Sequence, residues 1–301
     1  MNQIAFFGAI ELGLIFALVA FGVYLSFRIL DFPDLTVDGS FPLGAAVCAV
    51  MIVAGVNPWL ATLAATLAGA MAGVVTAWLN LRLKILHLLA SILTMTALYS
   101  INLRIMGKPN MALLGQETIL SPLETLDIPY YFINIIAFGV IAVVVLVLLA
   151  LFLKSETGLA MRATGSNPRM ARAQGISTKA MTILGMAISN GMVGLAGSLF
   201  AQSQGYADVT MGVGIIVVGL ASVIGGEALL STRTVVLALI ACFLGALLYR
   251  LAVAFALNAD FIGLESQDLN LVTAVLVAAA IVLPGLRSKI NIVAGNRGGK
   301  A

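Results

Sequence analysis

Between Ile133 and Leu153 the chain runs without one charged side chain. A helix needs roughly 20 apolar residues to cross the hydrocarbon of a bilayer. There, every backbone N–H and C=O must find its partner within the protein, which leaves only helices and closed barrels. Barrel strands alternate apolar and polar residues, whereas these runs are continuous. Similar stretches recur near 4–29, 40–55, 59–81, 85–106, 133–153, 180–200, 212–226, 234–255 and 270–285. Charged residues make up 10% of the chain, against about a quarter in a soluble domain. The expected fold is an all-α polytopic membrane protein of about eight to ten transmembrane helices, forming one domain over 1–301. Several stretches are short or interrupted by Gly and Pro. Irregular backbone at membrane depth survives only inside protein or beside a wet path, which is typical of transport proteins.

The net charge of +3 is no sign of nucleic-acid binding, because the basic residues cluster at span ends. Lys and Arg mark cytoplasmic loops. By that rule Arg82 and Lys84, the segment 154–179 and the tail 286–301 face inward. The segment 107–132 has Glu117, Glu124 and Asp127 against Lys108, and 256–269 has Asp260, Glu265 and Asp268 with no base; both are expected outside. Counting back from an inner tail puts the N-terminus outside. No cleavable leader is expected, because the apolar stretch Ile4 to Phe27 is too long and no basic residue precedes it.

Few residues invite chemistry. Cys48 and Cys242 lie in apolar runs and read as packing residues. Glu11 lies inside the first span, where a carboxylate must face the bundle interior or water. It is a candidate for the translocation path or for a structural hydrogen bond. Asp31, Asp34 and Asp38 form DxxDxxxD, the kind of spacing that holds Mg²⁺ against a diphosphate in intramembrane prenyltransferases. Pro33 and the Thr36–Val37 pair make a poor helix interior, so the three acids need not share a face. The segment reads better as an unwound link broken at Gly39 and Pro42, with Asp34, Thr36, Asp38 and Ser40 facing the path or capping the next helix. Asn102, Tyr99 and Asn190 could line a path or join helices. Arg104 and Arg250 read as snorkelling residues, and His87 as interfacial. Ala61, Ala65, Gly69, Gly73 and Ala77 form a small-residue stripe that lets helices approach closely, within the subunit or between two copies. No phosphate-binding loop, zinc motif or nucleophile elbow occurs. The chain is therefore not expected to be an enzyme, and no catalytic residue, metal or cofactor is assigned.

The segment Lys154 to Lys179 is the one long polar stretch. It holds Lys154, Arg162, Arg169, Arg172 and Lys179 against Glu156. Asn167 is a good N-cap and Pro168 suits the first helical position. Arg169 to Gln174 can make about two turns before Gly175 supplies a left-handed stop. Arg169 and Arg172 share a face. A helix with such defined ends is built to dock.

The run RATGSNPRMARAQGIS resembles the coupling helix of permease subunits of ABC importers, in the branched-chain amino acid and ribose-type family. The pattern falls on Gly165, Asn167, Pro168, Ala171 and Gly175, with Arg162 upstream. The stretches GAIELGLIFALVAFGVYLSFRILDF, SILTMTALYSINLRIMG and LNLVTAVLVAAAIVLPGLR are similar to that family's spans, and ASVIGGEALLS to its Leu–Gly–Gly turn. DLTVDGSFPLGAA resembles a ribose-type segment with one residue inserted. The phrase FRILDFPDLTVDGSFPLGAA resembles permeases for tryptophan or tyrosine-like amino acids. After the glycine pair the family pattern continues with a second pair, where this chain has LLSTRT, so no role is carried there. The resemblance implies a permease that moves an aromatic or branched-chain amino acid inward by alternating access, in a bacterial inner membrane surrounded by lipid. It implies docking of ABC ATPase subunits, a second permease subunit in a homodimer or close heterodimer, and a periplasmic or lipid-anchored binding protein. The rival reading is a secondary transporter driven by an ion gradient.

Overall fold

The computed structural model describes residues 3–124, 130–230 and 232–257, with positions 275 and 278 beyond them. The span expected at 270–285, the tail 286–301 and the acids Asp127, Asp260, Glu265 and Asp268 lie outside the described residues. The rest is helical. Helix α1 (Gln3–Val23) continues as a π-helical segment, Tyr24–Ile29. After a link come α2 (Val37–Val53), α3 (Pro58–Leu83) and α4 (His87–Met106). A three-residue strand β1 (Asn110–Ala112), a turn of helix α5 (Ser121–Glu124) and α6 (Tyr130–Lys154) follow. Two short helices, α7 (Glu156–Ser166) and α8 (Pro168–Ala173), lead into α9 (Thr178–Gln204). Strand β2 (Tyr206–Asp208), α10 (Ile215–Leu229) and α11 (Val235–Leu257) complete the described chain. Among the described residues, six helices are long and apolar enough to cross a membrane, and α2 and α10 are shorter apolar helices.

Hydrocarbon gives helices no hydrophobic reason to associate, so close packing must hold them together. The small-residue stripe of α3 supplies it within the subunit. Gly69 lies against the backbone of Asn190 and Gly194, and Gly73 against that of Met186, all on α9. A side chain at either glycine would collide with main-chain atoms. The other face of α3 is exposed and apolar, carrying Leu63, Leu67, Met71 and Val75 between Trp59 and Trp78. Those tryptophans are 59% and 49% exposed and 19 residues apart. At a 1.5 Å rise that is about 28 Å, close to the hydrocarbon thickness of ~30 Å at whose edges tryptophan collects.

The π-helical segment has a local cause. In an α-helix the carbonyl of Gly22 would accept from the backbone of Ser26. Here it accepts from the hydroxyl of Ser189 on α9, at 2.7 Å, and from the hydroxyl of Ser26 itself, at 3.3 Å. Groups inserted into the ladder widen a turn in this way. The chain then leaves the helix through Asp31, whose φ is 53°. The break spans 30–36, whereas Gly39 and Pro42 lie inside α2.

The bundle has two distinct ends. At one, Gly165 of α7 packs on Ile29 and the ring of His87 stacks on Phe32 with centroids 4.2 Å apart. At the other, β1 and β2 pair antiparallel, with Asn110 opposite Asp208. Asp208 accepts from the Thr210 N–H and hydroxyl and from Asn110. Partial burial works against the charged form, but these donors outweigh it and hold the carboxyl below its usual range. Glu11 near the start of α1 meets Ser203 near the end of α9. The N-terminus and the basic segment 154–179 are therefore at opposite ends.

Candidate functional site

The basic segment folds as two helices where one was expected. Ser155 caps α7, its hydroxyl accepting from Gly158 N at 3.3 Å. Asn167 then ends α7 and starts α8. Its side-chain oxygen accepts from the N–H groups of Arg169 and Met170, at 3.2 and 3.1 Å. Pro168 takes the first helical position, and Gly175 leaves α8 with φ 83°. Arg162, Arg169 and Arg172 are exposed, and Ala171 is buried. Arg172 folds back so that its Nε donates to the Pro168 carbonyl at 3.1 Å. Met170, which sequence reasoning passed over, is 62% exposed at the tip. The segment thus presents cations around an apolar centre.

Beneath that surface, α7 is fixed to the membrane helices. Gly158 packs on Phe152 and Leu153, and Gly165 on the backbone of Ile29 and Leu30. Buried Met161 touches Gly185 on α9, which also meets Leu30. A displacement of α7 therefore acts directly on the π-helical segment and on the break that follows it. Arg28 in that segment forms a charge-assisted hydrogen bond with Glu227 of α10. The pair Gly225–Gly226, expected as a turn, is helical within α10, where Gly226 packs against Ala241 of α11.

Around the break, Asp34, Thr36 and Ser40 are fully buried and meet one another through α9 and α3. Asp34 accepts from Thr36 N at 2.9 Å and from Asn190 Nδ2 at 2.7 Å. The hydroxyl of Ser40 donates to Asn190 Oδ1 at 2.7 Å. The Thr36 and Thr76 hydroxyls share a 2.8 Å hydrogen bond, and Thr76 also lies 3.2 Å from the Ala72 carbonyl. Asn190 also donates to Met186 O, so both of its N–H hydrogens are used. Asp38 belongs to a different contact. Its carboxylate accepts from Gly214 N and Ile216 N, at 3.2 and 2.8 Å, and so caps α10 from another helix. Asp31 is exposed, so the three acids of DxxDxxxD face three environments.

Asn102 donates to Gly39 O at 3.3 Å, joining α4 to α2, while its own oxygen is buried without a partner. Glu11 is remote from all of these, accepting from Ser203 and from Asn134 on α6. Arg250 does not snorkel: its guanidinium lies 4.5 Å from the centre of the Phe16 ring, and its Nε has no hydrogen-bond partner. The residues missed from sequence are Gly158, Thr76 and Ser189. Thr76 and Ser189 gain their roles from partners far along the chain, Thr36 and Gly22, whereas Gly158 packs on Phe152 and Leu153 just before it, and none stands in a recognisable motif.

The arrangement matches known proteins along nearly its whole length. The family described as branched-chain amino acid transport system / permease component matches residues 5–288. The chain is 39% identical to a "Tyrosine transport system permease protein" of Clostridioides difficile, over 92% of this chain and 90% of that one. It is 26% identical to a "Probable branched-chain amino acid transport permease protein LivH" of Methanocaldococcus jannaschii, over 73% and 72% of the two chains. Among solved structures, PsaBC from Streptococcus pneumoniae in complex with Fab is similar in fold, with a TM-score of 0.53, 14% identity and coverage of 92% and 90%. The chain belongs to the branched-chain amino acid transport system permease family, the membrane-spanning components of ABC importers.

Proposed function

We propose that this permease carries an aromatic amino acid of the tyrosine class inward across a bacterial inner membrane, driven by ABC ATPase subunits that dock on residues 160–176. One observation carries the reading. The exposed, Asn167-capped helix α8 is joined through α7 to the broken end of α1, with Gly165 on Ile29. Arg162, Arg169, Arg172 and Met170 form the contact surface, and Gly165, Asn167, Pro168, Ala171 and Gly175 give it its shape. ATP-driven closure of the ATPase pair moves α8 and α7, and the π-helical segment passes that movement to the Asp34 junction and, through Arg28 and Glu227, to α10. The unit is one membrane domain, 1–301, with its coupling loop at 154–179 and an inner tail at 286–301. It works with a second permease copy, and a binding protein delivers substrate at the ribbon end. The 39% identity to a tyrosine permease supports the substrate class.

Affinity capture tests the docking. The tagged permease, expressed with its cognate ABC ATPase, retains that ATPase. The pair Arg169→Glu and Arg172→Glu reduces retention at least tenfold, because two cations become anions at the contact. Unchanged retention in the double variant contradicts the assignment.

A further inference from the structure

The ribbon end carries a pocket that the coupling account does not use. Its volume is about 310 Å³, and it is lined by Asn57, Pro58, Trp59, Glu117, Thr118, Ser121 and Pro122. That is the lower end of the range for ligand pockets, enough for a small polar group. Its chemistry is two-sided. The exposed carboxylate of Glu117 has no cation beside it among the described residues. The ring of Trp59 adds a face that attracts cations. The rest of the lining supplies donors. Asn57 uses its side-chain oxygen to accept from Trp59 N at 2.9 Å, which leaves its NH₂ to donate. Ser121 and Thr118 oxygens accept from Thr118 N and Leu120 N, at 3.0 and 3.2 Å, so each hydroxyl keeps a hydrogen to give. An acceptor beside a cluster of neutral donors suits a primary ammonium attached to an anionic group.

Two sources carry that chemistry: the headgroup of an ethanolamine phospholipid, and a free amino acid. The position of Trp59 decides between them. It begins the exposed apolar stripe of α3 that continues through Leu63, Leu67 and Met71. A headgroup in the pocket leaves its acyl chains lying along that stripe. We propose that the pocket holds an ethanolamine phospholipid headgroup, with Glu117 taking the ammonium and Asn57, Thr118 and Ser121 the phosphate. The proposal does not depend on the ATPase docking reading, since the pocket lies at the end away from that contact.

The chain has two tryptophans, Trp59 and Trp78, so Trp78→Phe leaves Trp59 as the reporter. Delipidated protein in detergent is titrated with O-phosphoethanolamine, phosphocholine and tyrosine while Trp59 emission is followed. The expected result is a saturable change with phosphoethanolamine, at least tenfold weaker with phosphocholine, with tyrosine, or after Glu117→Gln. Glu117 is exposed, so that variant leaves the fold intact. No saturable change, an equal response to phosphocholine, a response unaltered by Glu117→Gln, or binding of tyrosine alone overturns the proposal.

Discussion

Asn167 ends one helix with its backbone and begins the next with its side chain. Replacing it with Ala removes the acceptor for two N–H groups and costs α8 about 1 kcal/mol; Asp keeps the acceptor. Hydrogen exchange over 168–174 is therefore expected to quicken in Asn167→Ala and to stay near wild type in Asn167→Asp, with uptake following the same order. Asn190 is the second residue on which much rests. Its loss leaves Ser40 without its acceptor and removes one of the two donors to Asp34, at about 1–3 kcal/mol for each group. Asn190→Ala should lower the thermal midpoint in detergent by more than Ser40→Ala, and equal shifts would show that Asp34 finds another donor. These residues differ in how readable they are. The cap at Asn167 is written within eleven residues of sequence, because its donors follow it directly. The bond from Asn190 to Asp34 joins positions 156 apart, so no local pattern marks it.

Elements were legible to the extent that hydropathy defines them. The expected spans up to residue 255 correspond to α1 to α4, α6 and α9 to α11, because a bilayer imposes length and apolarity on any crossing helix. What hydropathy does not encode is how a helix is bent or broken. The π-helical turn at Tyr24–Ile29 depends on a hydroxyl from α9. The start of α10 depends on a carboxylate from α2. Helix α7 was unread because its Gly158 and Gly165 look like loop residues until their close backbone neighbours are known. Gly165→Val forces α7 away from Ile29 while leaving Arg169 and Arg172 exposed. That variant should still capture the ATPase but lose at least tenfold in uptake, a split that separates docking from transmission. Gly73→Leu acts on a different contact. Its side chain meets the Met186 backbone, and such overpacking costs about 1–3 kcal/mol or more. It is expected to reduce the yield of folded protein, measured as the monodisperse fraction in size-exclusion chromatography.

For the molecule as a whole, two features combine: a helical bundle broken near both α2 and α10, and a basic, capped surface element at one end. Membership in the permease family makes the chain a transport component rather than an enzyme. The bundle supplies parts that can move, since α2 and α10 each start where the main chain is irregular and are joined there through Asp38. The surface element supplies a place to push. In the proposed mechanism, ATP hydrolysed by a partner docked at α8 moves this bundle. Uptake of labelled tyrosine into proteoliposomes that contain the permease, its ATPase and its binding protein tests it most directly. Uptake should require ATP inside the vesicles and fall at least tenfold in the Arg169→Glu, Arg172→Glu variant. Uptake that proceeds without the ATPase, driven by a proton or sodium gradient and indifferent to that variant, would contradict the account.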